Sequence, residues 1–381
     1  MIDEAPVIIA AARTPIGTAG HSLSRLTVEQ LGAPVLRTLI CDPGLDPGDV
    51  DDVILGNCTG PGGNVARHTA LSASMPSRVP GLTVDRQCAS GLAAIEIAAH
   101  MVGSGARVVL AGGVESASTA PLRFWPPVDG GEPVRYHRAP FAPPRDDVDM
   151  GMANDLLAAE AGISRMRQDT YAAGSHARAM LARSAGAFDQ ETIAVGGCER
   201  DDRPRSGLTV ERLTRLKPTF RPEGTVTAGN SCGISDGAAG VAVVSAKIQQ
   251  GLALPGLRIL STATVGVPAA RPGLGVVPAV YSALDKAGIS LEEIDVIEFN
   301  EAFAGQVLAC CDELGLDPAR VCREGGALAL GHPWGASGAV LAVRLFAQLV
   351  TRREGRYGLA AIAAGGGLGV AMVVEAAVGP C

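Results

Sequence analysis

Cys88 stands in "GLTVDRQCASGLAAIEIAAH", where a β-rich run over 82–85 leads through Arg86 and Gln87 to the thiol and then into an apolar-periodic helix. This order sets the sulfur at a helix N-terminus, where unpaired N–H groups and the macrodipole favour a thiolate. The mechanics are those of a nucleophile elbow with sulfur in place of oxygen. Alone, a Cys so placed reads first as a small buried hydrophobe at a helix start. Other groups strengthen the case. "GGALALGHPWGASG" puts His332 in a Gly-rich turn before a helix, able to accept the Cys88 proton or to donate to a thioester oxygen. "EFNEAFAG" sets Asn300 and Glu301 at a strand end, where α/β ligands gather and where Asn300 also suits a helix N-cap. "AAGGGLG" offers backbone N–H groups to an oxyanion. No phosphate-loop or dinucleotide motif occurs, and no His, Cys and Asp cluster has metal spacing.

The elements that hold these groups alternate in the manner of an α/β sheet. Strands are expected at 7–11, 53–55, 82–85, 108–111, 239–244, 296–299, 359–363 and 370–375, and helices at 27–40, 90–102, 168–184, 277–287, 302–313 and 337–353. The pattern also repeats. "GLDPGDVDDVILGN" ending at Asn57 resembles "GISLEEIDVIEFN" ending at Asn300, and each "ASG" that follows opens a helix, a turn and an apolar strand running into glycines. A period near half the chain predicts two similar α/β halves rather than a solenoid. The halves are 1–118, completed by 235–256, and 257–381. Between them 119–234 has no counterpart and reads as an inserted loop domain, a natural place for substrate binding. Its first part, 121–144, is rich in Pro, Arg and aromatics and reads as an extended loop.

The 381 residues are 47% hydrophobic but only 3% aromatic, with 49 Gly, which suits helices packed closely on sheets. A net charge of −7 argues against a nucleic-acid partner. Nine scattered Cys read as reduced thiols rather than a disulfide framework. The start, Met1-Ile2-Asp3-Glu4, has no signal-peptide pattern, the last five residues match no lipidation pattern, and no uncharged run of convincing apolar character reaches spanning length. The expectation is a cytoplasmic chain without a membrane or metal partner.

The motifs resemble the thiolase family over nearly the whole chain. "VIIAAARTPIGTAG", "TVDRQCASGL", "LAGGVESAS", "SRMRQDTYAAGSHARA", "LKPTFRPEGTVTAGNSCGISDGAA", "FNEAFAG" and "GGALALGHPWGASG" follow in family order. The resemblance implies a five-layered αβαβα fold, a homodimer or homotetramer, coenzyme A thioesters as substrates and no permanently bound cofactor. By motif position Cys88 would be the acylated nucleophile and His332 its activator. Asn300, through a water, and His332 would form one oxyanion hole, and the N–H groups of Cys88 and Gly365 the other. The pantetheine arm would lie along Met150, Ala228, Cys232 and Phe303, with Lys217 near the coenzyme A phosphates.

The chain also departs from the family. Ala363 stands where thiolases hold a second Cys as acid/base on the substrate α-carbon, Cys232 where they hold a Ser, and Asp149 where a His is usual. Phe299 and Trp334 replace smaller neighbours of catalytic positions. Three readings follow: an acyltransferase loading Cys88 whose ordinary acetyl–acetyl condensation is impaired, a decarboxylative condensing enzyme, and a non-catalytic scaffold or coenzyme A-binding subunit.

Overall fold

The computed structural model describes residues 4–377, so the chain ends read above, apart from Glu4 and Ala377, lie outside the described residues. The first half supplies β1 (Pro6–Arg13), β2 (Gly17–Thr18), α1 (Val28–Cys41), β3 (Val50–Gly56), α2 (Val65–Ser72), β4 (Leu82–Val84), α3 (Ser90–Gly103) and β5 (Val108–Ser116). The insert adds β6 (Arg123–Trp125), β7 (Val134–Tyr136), α4 (Met150–Glu160), α5 (Arg165–Ser184) and the single turn α6 (Val210–Leu213). There follow β8 (Ser235–Ser245), α7 (Ala246–Gly251), β9 (Gly256–Gly266), α8 (Val276–Ala287), β10 (Val296–Phe299) and α9 (Ala304–Leu314). The chain closes through α10 (Ala327–Leu330), α11 (Trp334–Phe346), β11 (Tyr357–Ala364) and β12 (Leu368–Ala377).

The main sheet runs β10-β11-β12-β9-β1-β8-β5-β3-β4, with β2 on β8. Its two halves meet only where β1 pairs β9, at Val7–Arg258 and Ile8–Leu257. Helices α3 and α11 pack on each other and against strands of both halves, around a core that includes Ile95, Val241, Val343 and Met372. Helices α1 and α2 cover the outer face of the first half, and α8 and α9 that of the second, each over its own apolar core. Helix, sheet, helix, sheet, helix: the five layers are complete.

Small residues make the middle layer possible. A Cβ on Gly338 of α11 would lie 2.4 Å from the Leu92 nitrogen of α3, so the two backbones touch where a larger residue would force them apart. The repeat read in the sequence is repeated in shape. Short 3₁₀ turns at Pro47–Asp49 and Leu291–Glu293 precede β3 and β10, and Gly44 and Gly288 take matching φ of 70° and 69°.

Several elements differ from the sequence reading. Strand β9 was not expected, because "GLRILSTATVG" mixes polar and apolar residues at a partly exposed position. Helix α4 was missed behind a Pro-rich stretch; the Asp149 side chain caps it, accepting from the Gly151 N–H at 2.9 Å. The helix expected at 337–353 begins at Trp334, directly after His332-Pro333, and ends in a π turn over Ala347–Thr351. Within the stretch read as an extended loop, β6 and β7 pair as a hairpin, with Trp125 and Tyr136 stacked at 4.6 Å. The span Trp334–Thr351, which carries the charged Arg344, is long and apolar enough by composition to cross a membrane, but 78% of it is buried inside the fold, as in a core helix.

A buried ionic network ties the insert to the core. The Arg13 guanidinium donates to Glu191 at 2.7 Å and to Asp201 at 2.7 Å, and Arg344 of α11 pairs with Glu191 as well. Removing one partner of such a network strands a buried charge, which typically costs about 3–5 kcal/mol.

Candidate active site

Cys88 sits in the turn between β4 and α3. Gln87 before it takes φ 51°, a left-handed conformation that costs a residue with a Cβ roughly 1–2 kcal/mol. Ser90 holds the turn: its hydroxyl accepts from the Arg86 N–H at 2.8 Å and donates to the Gln87 carbonyl at 2.6 Å. The sequence thus builds a strained elbow with the sulfur at its apex. The backbone N–H groups of Cys88 and Gly365 face that sulfur.

The helix-terminus argument expects an acidified thiol, and the structure reverses it. Burial pushes the Cys88 thiol up to about 12, with the nearby Cys232 adding to the rise and the two N–H groups pulling only partly back. The resting thiol is therefore protonated, and a base must take its proton as it reacts.

His332 is the available base. It is 2% exposed, and burial lowers it to about 4, so the ring is neutral near pH 7. Ser337 Oγ lies 2.6 Å from Nδ1 and fixes the ring, while Nε2 has no hydrogen-bond partner among the described residues. A buried polar atom left unpaired costs about 1–3 kcal/mol, and a catalytic role is one reason a fold keeps one. Ser337 was missed in the sequence, although it lies in the quoted "GASG", five residues past the His in one turn of chain.

One cavity of about 100 Å³ brings together Cys88, Met150, Cys232, Phe303, His332 and Ala363. Asn300 does not line it. Its Nδ2 is buried and unpaired, and Asn300 borders a neighbouring void of about 20 Å³ that also reaches Ser337, room for one water. Lys217 and Ala228 are exposed and line neither space.

Two buried carboxylates hold the turns in place. Glu115 at the end of β5 accepts from the N–H groups of Cys58 and Thr59, each at 3.0 Å, and of Gly335 at 2.9 Å, joining the two halves beside α11. Glu301 accepts from Tyr171 at 2.8 Å, Ser175 at 2.7 Å and the Leu328 N–H at 3.3 Å, and so orders the approach to His332. "LAGGVESAS" and "FNEAFAG" carried both residues, but nothing local in either motif reveals a hub.

His176 on α5 gives a pH test of this packing. It is 3% exposed, and burial, with Arg203 and Arg205 adding, lowers it from 6.5 to about 4. The unfolded chain then binds more protons between these values, so stability is full above 6.5 and falls as pH drops toward 4. Glu115, Glu298 and Glu301 are pushed up by burial and tilt the slope the other way, so the measurement is a difference. His176→Gln should flatten the loss of melting temperature over that acid range relative to the unaltered protein. Parallel curves would mean that His176 is protonated inside the fold.

The five layers, built as two halves around a pair of internal helices, and the thiol–imidazole cavity define a thiolase-type acyltransferase. The chain belongs to the thiolase family: the thiolase N-terminal domain matches residues 6–247 and the thiolase C-terminal domain residues 254–376. It is 43% identical to the acetyl-CoA acetyltransferase of Pseudomonas aeruginosa, over 97% of this chain and 98% of that one. It is 40% identical to the acetyl-CoA acetyltransferase of Escherichia coli over the same shares. The crystal structure of the Bacillus anthracis acetyl-CoA acetyltransferase superposes with a TM-score of 0.91 at 37% identity, covering 98% of each chain.

Proposed function

We propose that the protein takes an acyl group from a coenzyme A thioester onto Cys88 and passes it to a carbon acceptor. The observation that carries this is the shared cavity of a protonated Cys88 thiol and a neutral His332 whose Nε2 is free. His332 takes the thiol proton as sulfur attacks the thioester carbonyl. The N–H groups of Cys88 and Gly365 receive the oxygen of the acyl-enzyme, and His332 with an Asn300-held water receives that of the second thioester. A cavity of about 100 Å³ suits a short acyl group, in keeping with relatives named acetyl-CoA acetyltransferases.

Ala363 makes acetyl–acetyl condensation slower than in a thiolase with a second Cys, because its methyl group on the cavity wall cannot take a proton. A positioned acid/base is worth about 10²–10⁴-fold. Ala363→Cys should therefore raise acetoacetyl-CoA formation from acetyl-CoA by about 100-fold, the lower end of that range. No gain would show that proton transfer on this wall does not limit the reaction. The same methyl group favours a second reading, decarboxylative condensation. Faster product formation with release of carbon dioxide on adding malonyl-CoA would establish it, and no effect would retire it.

A further inference from the structure

The cavity holds a second thiol that the reaction has not yet used. Cys232 lies on a short segment stitched between the two oxyanion elements. Ser231 bridges to Phe303, the Cys232 N–H donates to the Ala302 carbonyl at 2.9 Å, and Ile234 bridges to His332. Its sulfur lines the same cavity as Cys88 and Ala363 and has no hydrogen-bond partner among the described residues.

Behind it stands a cation without a counter-ion. Arg203 is partly buried, and among the described residues no carboxylate pairs with it; its one hydrogen bond is a long contact of 3.4 Å to the Leu328 carbonyl, and its Nε is unpaired. The guanidinium fits there because residue 233 is Gly: a Cβ would lie 2.1 Å from Nη1. The other charged or titratable neighbours, Arg205 and His176, bring no negative charge. The group that answers Arg203 electrostatically is Cys232. Burial pushes that thiol up to about 12, and Arg203 is the strongest influence drawing it down.

We propose that Cys232, backed by Arg203, is the acid/base that moves the substrate α-proton in place of the side chain missing at Ala363. The inference rests on acyl transfer through Cys88. As Cys88 attacks, its proton goes to His332, and the coenzyme A thiolate that departs takes the Cys232 proton. Cys232 is then a thiolate beside Arg203. When the second thioester binds, that thiolate takes an α-proton, and the C–H electron pair becomes an enolate. The enolate carbon attacks the Cys88 thioester, the carbon–sulfur bond to Cys88 breaks, and the Cys88 thiolate recovers its proton from His332. Cys88 regains its own proton from His332, Cys232 replaces the proton it gave to coenzyme A with the substrate α-proton, and no oxidant or metal enters.

The test separates this step from the loading of Cys88. Acetyl-CoA is incubated in deuterium oxide with the unaltered protein, Cys232→Ala, Arg203→Met and Arg203→Lys. Acetylation of Cys88 is read by intact mass and peptide mapping, and α-deuterium incorporation into acetyl-CoA by mass spectrometry. Cys232→Ala should still accumulate the Cys88 adduct, more slowly because the departing thiolate then draws its proton from water, and that adduct shows that the variant folds. Exchange should fall much further, by about 100-fold or more. Arg203→Met should slow exchange, and Arg203→Lys should restore part of it. Exchange in the unaltered protein no faster than in Cys232→Ala overturns the role of Cys232. Equal exchange in Arg203→Met and Arg203→Lys overturns that of Arg203. Failure of the unaltered protein to acetylate Cys88 at all overturns the underlying reading instead.

Discussion

Cys88→Ala is expected to lose acyl-enzyme formation outright, with acyl transfer falling by at least about 10⁴-fold. The size follows from the geometry. Among the described thiols, the Cys88 sulfur alone has two backbone N–H groups aimed at it at the apex of a strained turn. The nearby thiols lack that setting. The Cys58 sulfur donates to the Gln87 carbonyl at 3.2 Å, and Cys232 lines the same cavity as Cys88, with Arg203 close by. Intact-mass measurement after treatment with acetyl-CoA should show one added acetyl group on the unaltered protein and none on the variant. Mapping the adduct decides the assignment: acetyl found on Cys232 or Cys58 in the unaltered protein would sink it. Packing should survive the substitution, since the turn is held by Ser90 rather than by the thiol.

His332→Ala should slow Cys88 acylation by about 10²–10³-fold while leaving coenzyme A affinity nearly unchanged. The substitution removes the neutral imidazole that lines the same cavity as a thiol protonated at rest. Ser337→Ala should produce a smaller loss, because it frees the ring to rotate without removing it. Single-turnover acylation set against equilibrium binding of coenzyme A separates the cases. Matching losses in rate and affinity for His332→Ala would make the residue a binding or structural group.

Much of this site is legible in the chain because its parts are local. A strand, a turn, a Cys and a helix are adjacent in sequence, as are His332 and the glycines that surround it. The duplicated turns ahead of β3 and β10 are legible for the same reason. What stays hidden is set by tertiary packing. The dipole at the start of α3 is a local signal and points to an acidic thiol; burial by residues from α11, the insert and the last strands outweighs it. Glu115, Glu301 and Ser337 look unremarkable in their motifs, because their partners come from other elements. Arg203 carries no signal at all: only the fold sets it against Gly233. Asn300 was placed correctly at a strand end, yet it borders the cavity beside the one that contains Cys88.

The strand order has a consequence for how the protein comes into being on the ribosome. β8, the strand between β1 and β5, is made only after the whole insert, so the first half cannot close its sheet until then. The groups that turn Cys88 from an ordinary thiol into part of a site arrive later still: His332 just ahead of α11, Ala363 in β11 and Gly365 just past it. A nascent chain therefore carries the reactive residue for most of its synthesis without the means to react. A fragment ending near residue 247, the limit of the N-terminal family match, would retain Cys88 and Cys232 but neither the base nor the second N–H that faces the sulfur. Such a fragment would also leave α3 without α11, exposing the apolar face that the middle layer exists to cover. Chemistry begins only when translation is nearly finished.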